Sequence, residues 1–248
     1  MSEIKAVLCD IGGVLYVGDT PIEGAIEAVS RIKKHFPVHF ITNTTQTRGD
    51  QVASLLQKMG FEIEADEIIT ALDVTKMYLQ EHGSNAYYLL TEEAKKQFND
   101  LAFENIEYVV VGDAQENFSY ESLNTAFRHL HAGAELLAAA KNRYFKDSDG
   151  ELSMDAGGFV QALEYASQKE AKIIGKPSME FYHLACRMLK CKPEECIMIG
   201  DDIESDIGGA QAAGLQTALV KTGKFRLQDL DMGIKPNILI DSIADFRL

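Results

Sequence analysis

The sequence predicts an α/β protein built on parallel sheets. Three observations carry this. Short apolar runs alternate with stretches of helical periodicity along the whole chain. The runs are apolar without interruption, as in strands covered on both faces. Several of them end abruptly in reactive polar residues, where open parallel sheets bind their ligands.

Taken in order, Ala6-Val7-Leu8-Cys9 is the first strand and ends in Asp10. Residues 21–35 carry Ile22, Ala25, Ile26, Val29 and Ile32 as a helical stripe, with Thr20-Pro21 as its opening signal. Residues 38–41 form the second strand, ending in Thr42-Asn43. Residues 51–59 place Val52, Leu55, Leu56 and Met59 on one helical face, and Gly60 stops that helix. In the middle, residues 86–90, 108–111 and 135–139 read as strands, and 120–131 as the clearest helix. Four more strands follow: Ile173-Ile174, Ile197-Met198-Ile199, Ala218-Leu219-Val220 and Ile238-Leu239-Ile240. A helical stripe of Phe181, Leu184, Ala185, Met188 and Leu189 lies between the first two of these.

Composition narrows the function classes. Of 248 residues, 24 are Lys or Arg and 38 are Asp or Glu, a net charge of −14. Nucleic acid and anionic lipid call for clustered cations, so neither is the expected partner. No apolar run approaches the roughly 18 residues of a membrane span. Met1-Ser2-Glu3-Ile4-Lys5 lacks the basic segment and apolar stretch of a secretion signal, so a cytoplasmic location is expected. Cys9, Cys186, Cys191 and Cys196 fit neither a disulfide framework nor a zinc pattern and read as reduced thiols.

The polar strand ends are Asp10, Thr42-Asn43, Gly175-Lys176 and Gly200-Asp201-Asp202. Each alone reads as a turn, cap or surface residue. If the strands are neighbours, all four meet in one pocket of carboxylates, an ammonium and a hydroxyl. Clustered carboxylates repel unless a cation joins them, and hard oxygen ligands suit Mg²⁺. A lysine in the same place suits a phosphate.

These residues resemble the four motifs of the haloacid-dehalogenase superfamily: Asp10-Ile11-Gly12-Gly13-Val14-Leu15 after a hydrophobic strand, Thr42 at a strand end, Lys176 in Gly-Lys-Pro, and Gly200-Asp201-Asp202-Ile203-Glu204-Ser205-Asp206. Thr42-Asn43-Thr44, Ile174-Gly175-Lys176-Pro177 and Gly208-Gly209-Ala210 narrow the resemblance further. They point to the branch of phospholysine phosphohistidine inorganic pyrophosphate phosphatase and its hydrolase-domain-containing relatives. The resemblance implies a Rossmann-like parallel-sheet core, residues 1–72 and 173–248, with a smaller C2-type α/β cap inserted at 73–172. It also implies roles. Asp10 is the nucleophile that becomes an aspartyl-phosphate. Asp10, the backbone carbonyl of Gly12 and Asp201 hold Mg²⁺, with Asp206 a further ligand or a carboxylate behind them. Thr42 and Asn43 bind the transferring phosphate, and Lys176 neutralises the nucleophile and the phosphoryl oxygens. Two copies associating through the cap are a further expectation.

The sequence departs from the pattern at Gly12, where most phosphatases of the superfamily carry an Asp that protonates the leaving oxygen. Glycine can do neither that nor activate water, though its freedom would let the chain turn there. General acid–base help is worth about 10²–10⁴ in rate. Its loss should spare substrates with good leaving groups: pyrophosphate, aryl and acyl phosphates and P–N bonds. The expected function is therefore a Mg²⁺-dependent phosphatase of small phosphorylated compounds, biased to such groups. The alternative is a phosphate-ligand binding or regulatory protein with little turnover.

The cap should choose the substrate. Its candidates are Asp113 with Asn117, Lys141-Asn142-Arg143-Tyr144 and Asp155, of which Asn142 and Arg143 are the ones expected to face substrate. All read equally as solvated loop residues. Tyr87, Tyr88, Tyr108, Phe118, Tyr120 and Phe127 read as cap interior. Gly223-Lys224-Phe225 lacks the rest of a Walker loop.

Overall fold

The computed structural model describes residues 3–83, 85–101, 105–146 and 151–247. Its strands, in chain order, are β1 (Ala6–Asp10), β2 (Tyr16–Val17), β3 (Thr20–Pro21), β4 (Val38–Thr42), β5 (Ile68–Thr70), β6 (Ala86–Leu89), β7 (Tyr108–Val111), β8 (Glu135–Ala138), β9 (Tyr144–Lys146), β10 (Leu152–Met154), β11 (Lys172–Ile173), β12 (Cys196–Gly200), β13 (Gln216–Val220) and β14 (Ile238–Ile240). The helices are α1 (Ala25–His35), α2 (Gly49–Lys58), α3 (Ala71–His82), α4 (Glu92–Lys95), α5 (Tyr120–His131), α6 (Ala156–Ser167), α7 (Met179–Met188) and α8 (Gly209–Ala212). A π-helical segment, Ile203–Gly208, leads into α8. Among the described residues, no helix is long and apolar enough to cross a membrane.

The chain divides into two compact units, and the first comprises Met1–Thr42, Gly49–Ile69 and Lys176–Leu248. Its six-stranded sheet has the order β14-β13-β12-β1-β4-β5. β1 pairs in parallel with β12 on one side and β4 on the other. Both β1 and β12 are buried along their whole length, which is why each, up to Asp10 at the end of β1, is apolar at successive positions rather than at alternate ones. Val7, Cys9, Ile197, Ile199, Ala218 and Val220 face one way and pack with Ala28, Val29 and Ile32 of α1 and Val52 and Leu56 of α2. Leu219 points the other way, onto Ile203 and Ile207. Each large side chain fully buried here contributes about 1.5–3 kcal/mol.

Register fixes what the sheet presents at its carboxyl edge. Cys9 lies opposite Ile199, and Asp10 lies opposite Ile41. Parallel strands are about 4.8 Å apart. Asp10 therefore has Thr42 one residue beyond its neighbour on one side, and Asp201 just past the end of β12 on the other.

The helix expected from residue 21 begins only at Ala25. Thr20-Pro21 instead forms the second strand of a two-stranded hairpin with Tyr16-Val17. A ribbon this short tolerates the N–H that proline lacks. Gly24, at φ 74°, then breaks the chain direction before α1.

The second unit comprises Asn43–Arg48 and Thr70–Gly175. Its four-stranded parallel sheet has the order β11-β8-β7-β6. Val109, Val111, Leu136 and Ala138 pack with Ala126 and Leu130 of α5 and Val160 and Leu163 of α6. β9 and β10 form a separate antiparallel hairpin. Phe118 stacks on Phe159 with ring centroids 3.7 Å apart. Tyr88 and Tyr108 are interior, but Tyr120, expected there too, is 84% exposed on the first turn of α5.

The unit boundaries differ from the expected division at 72/73 and 172/173. The expected core strand Ile173-Ile174 belongs to the second sheet, where Ile173 pairs with Ala138. Backbone bonds from Ile174 N–H to Ala138 O and from Gly175 N–H to Ala139 O carry that pairing to the unit boundary. Lys176 thus follows an edge strand of the other unit, not a strand of the core sheet.

Candidate active site

The site is assembled within the first unit. Asp10 ends β1 and is 8% exposed. Lys176, 5% exposed, stands just before α7 and donates to Asp10 Oδ1 at 2.5 Å and to Asp206 Oδ1 at 2.7 Å. Asp201 follows β12, and Asp206 lies within the π-helical segment. One carboxylate oxygen from each of Asp10, Asp201 and Asp206 lies within 4.8 Å of the others, and all three residues are buried. The structure thus brings together Asp10, Lys176, Asp201 and Asp206, with Thr42 at the end of β4 on the same sheet edge.

Each carboxylate is held differently. Asp206 is nearly saturated: Oδ1 takes the Lys176 ammonium, and Oδ2 accepts the N–H groups of Asp201 and Asp202, both at 3.2 Å. It is therefore suited to standing behind a ligand set more than to leading it. The Asp201 carboxylate accepts the Lys224 N–H at 2.6 Å. It fills the space where a Cβ on Gly13 or on Gly223 would go, and both glycines have positive φ. Asp10 Oδ2 accepts no hydrogen bond among the described residues and is not sealed from solvent.

The charges are frustrated without a cation. Burial raises Asp10 to about 6, against the pull of Lys176, with Asp206 adding to the rise. Burial, together with Asp10 and Asp206, pushes Asp201 up to about 8. Burial opposes the charge on Lys176, but Asp10 and Asp206 outweigh it and hold the ammonium well above the ordinary lysine value. At Asp202 burial again pushes upward, and it is overcome by the Ser205 N–H, the Lys224 charge and the Glu204 N–H, so the carboxyl stays below its usual range. Three buried carboxylates facing one buried ammonium leave an excess of negative charge that fits a hard dication.

The turn role expected of Gly12 falls to Gly13 instead. Gly13, at φ +83°, is the glycine the turn requires. Gly12 has no positive φ, is exposed, and a Cβ built on it meets nothing within 4 Å. Only the backbone carbonyl of Gly12 was expected at the metal.

Sequence reasoning missed several supports. Lys224 holds Asp201 through its N–H and reaches Asp202 through Nζ at 3.3 Å. Thr222 Oγ1 donates to Gly13 O at 2.5 Å. Tyr182 donates its hydroxyl to Ser205 O at 2.5 Å and faces Asp206 O at 3.3 Å, clamping the π-helical segment from α7. The signal for two of these was present: β13 also ends in a polar cluster, Lys221-Thr222-Gly223-Lys224, a fourth on the edge that carries Asp10, Thr42 and Asp201.

The cap candidates lie in the second unit, as does Asn43. Asp113 is buried and spends its oxygens on Gln46 Nε2 and the Gln115 N–H. Asn117 donates to Leu90 O, and Asp155 caps α6 through the Ala156 N–H. Lys141 is paired with Glu164 at 2.8 Å. Asn142 accepts the Gly157 N–H on its carbonyl, while Arg143 and Tyr144 are exposed.

A family profile described as haloacid dehalogenase-like hydrolase matches residues 7–104, and one described as HAD-hydrolase-like matches residues 173–246. The haloacid dehalogenase-like hydrolase domain-containing protein 2 of Bos taurus is 42% identical, over 92% of this chain and 88% of that protein. The phospholysine phosphohistidine inorganic pyrophosphate phosphatase of Rattus norvegicus is 39% identical, over 92% and 87%. Among solved structures, a p-nitrophenyl phosphatase from Archaeoglobus fulgidus superposes with a TM-score of 0.89 at 25% identity, covering 98% of each chain. The chain belongs to the haloacid dehalogenase-like hydrolase family and is a hydrolase.

Proposed function

We propose that this chain is a Mg²⁺-dependent phosphatase that works through an aspartyl-phosphate and favours small substrates with good leaving groups. The buried Asp10–Lys176–Asp206 ion pairing beside Asp201 carries the reading. Asp10, Asp201, the Gly12 carbonyl and, behind them, Asp206 would hold the Mg²⁺. When bound, the ion supplies charge neutralisation for the phosphoryl oxygens and for Asp10.

Asp10 Oδ2 attacks phosphorus, and the bond to the leaving oxygen or nitrogen breaks with its electron pair. Lys176 screens the Asp10 carboxylate from the incoming anion and offsets charge on the phosphoryl oxygens. Thr42 and Asn43 orient those oxygens. Water then attacks phosphorus in the acyl phosphate and frees Asp10 and inorganic phosphate. Gly12 supplies no proton, so the leaving group must depart as a weak base or already protonated. The names of two relatives, a pyrophosphate phosphatase and a p-nitrophenyl phosphatase, support such leaving groups.

In the cap, Asn142 and Arg143 would touch the rest of the substrate, and two copies would associate there. A cytoplasmic setting belongs to the same reading and rests on the unpaired thiols. The test is a panel of pyrophosphate, p-nitrophenyl phosphate and a sugar phosphate, with Mg²⁺ or EDTA and with Asp10→Asn as control. Metal-dependent release from the first two that vanishes in the control is expected. A preference for the sugar phosphate would refute the bias. Mg²⁺ and phosphate binding without release would favour the binding protein, the reading that Gly12 alone supports.

A further inference from the structure

A cation that the proposed chemistry does not use stands at the carboxyl edge of the first unit's sheet. β13 ends at Val220, and the chain turns back through Thr222, Gly223 and Lys224. Two bonds pin this turn to the site. Thr222 Oγ1 donates to Gly13 O, and the Lys224 N–H donates to Asp201 Oδ2 at 2.6 Å. Gly223, at φ +65°, lies so close that a Cβ there would strike the Asp201 carboxylate and the Gly13 backbone. The root of the Lys224 side chain is thereby fixed beside a candidate metal ligand, while its end is loose. Nζ meets Asp202 Oδ2 at 3.3 Å, and the side chain is 71% exposed. Asp202 does not depend on that contact, because its Oδ1 already accepts the Glu204 and Ser205 N–H groups. An exposed pair of this kind contributes little to folding. Two other cations at this edge are committed elsewhere: Lys176 is buried against Asp10 and Asp206, and Lys221 pairs with Asp241 at 2.7 Å.

We infer that the Lys224 ammonium binds the part of the substrate that leaves, and that this part is itself an anion, as in a phosphoanhydride such as pyrophosphate. The inference rests on the phosphatase reading and gives it a substrate class and a specificity residue, using groups of the first unit alone. Lysine carries its charge on a flexible four-carbon stem, so Nζ can exchange Asp202 for a phosphate oxygen without moving the turn. Asp10 lies near enough to Lys224 for each to act on the other's charge. The charges of the site point the same way. Asp10, Asp201 and Asp206 set against Lys176 and one dication come to neutrality before substrate enters, so every further negative charge favours another cation. As Asp10 Oδ2 forms its bond to phosphorus, the bridging oxygen keeps the electron pair of the bond that breaks, and the departing phosphate gains a negative charge. Gly12 gives it no proton, and an ammonium beside it offsets that charge instead.

The experiment measures kcat and KM for pyrophosphate and for p-nitrophenyl phosphate in Mg²⁺ buffer, with wild type, Lys224→Met, Lys224→Gln and Lys224→Arg in the full chain. Each variant keeps the backbone N–H on Asp201, so only the ammonium is tested. Pyrophosphate carries charge on its leaving half before the bond breaks, and p-nitrophenyl phosphate does not. Losing a hydrogen bond between charged groups predicts a ratio of kcat/KM, pyrophosphate over p-nitrophenyl phosphate, lower by about tenfold or more in the methionine and glutamine variants, chiefly through the pyrophosphate KM. Lys224→Arg keeps the charge and should lie nearer the wild type. Added NaCl should raise the pyrophosphate KM of the wild type more than that of Lys224→Met. Equal losses on both substrates, an unchanged ratio, or an arginine variant as poor as the methionine one would defeat the inference and leave the phosphatase reading standing. So would a wild type that hydrolyses p-nitrophenyl phosphate and not pyrophosphate. A wild type that hydrolyses neither would overturn the phosphatase reading and this inference with it.

Discussion

Gly12 and Gly13 sit side by side and answer to different constraints. Gly13 has a positive φ and yields its side-chain space to the Asp201 carboxylate, so any substitution there displaces a candidate metal ligand. Gly12 has neither constraint, so glycine at that position is a chemical choice rather than a steric one. Asp10, Lys176, Asp201 and Asp206 could be read from the sequence because each carries its own chemistry. The difference between the two glycines could not, since it depends on what lies across the sheet. Gly12→Asp should therefore fold, with a thermal midpoint near that of the wild type. It should raise turnover of a sugar phosphate by about a hundredfold, the lower end of what a general acid supplies. Steady-state rates on a sugar phosphate and on p-nitrophenyl phosphate check this. A gain on the first with little on the second is expected, and no gain would mean that water or another group already delivers the proton.

At the scale of elements, apolar periodicity located β1, β4, β12, β13 and α5 because burial on one or both faces writes itself into the sequence. It failed where tertiary pairing decides. Ile173-Ile174 is apolar enough for either sheet, and only its bonds to β8 show which one it joins. The π-helical segment Ile203–Gly208 has no local signature either. It is held open by contacts from outside: Asp202 caps it through the Glu204 and Ser205 N–H groups, and Tyr182 reaches in from α7. This segment carries Asp206, whose two oxygens anchor Lys176 and the Asp201 N–H. Tyr182→Phe removes a buried donor while keeping the ring. It should cost about 1–2 kcal/mol and lower the thermal midpoint by roughly 3–6 °C. Turnover should fall as well, because Lys176 loses a fixed partner in Asp206. Calorimetry and kcat measured together test this, and a midpoint that does not move would show that the clamp on Ser205 and Asp206 is idle.

At the scale of the molecule, the family resemblance implied an inserted α/β cap but not which unit owns residues 43–48, because that ownership is made by Thr45, Gln46 and Arg48 reaching Asp113 and Glu93. The two units also differ in what a dication could do to them. The first holds Asp10, Asp201 and Asp206 together, and the pressure on Asp10 and Asp201 to stay neutral shows what it costs to charge them side by side. A cation that binds only the folded site stabilises by mass action, about 2.7 kcal/mol at a hundredfold excess over its dissociation constant. Mg²⁺ should therefore raise the unfolding midpoint of the first unit in a concentration-dependent way. EDTA should reverse the rise, and Asp201→Asn should abolish it. A chain of net charge −14 also gains from simple screening, so NaCl at equal ionic strength is the necessary control. Screening acts on the whole surface and is expected to move the transitions of both units, whereas a site acts on one. Scanning calorimetry of the full chain separates them: a Mg²⁺ shift no larger than that of NaCl, or one equal in wild type and Asp201→Asn, would remove the metal from the site and the proposed chemistry with it.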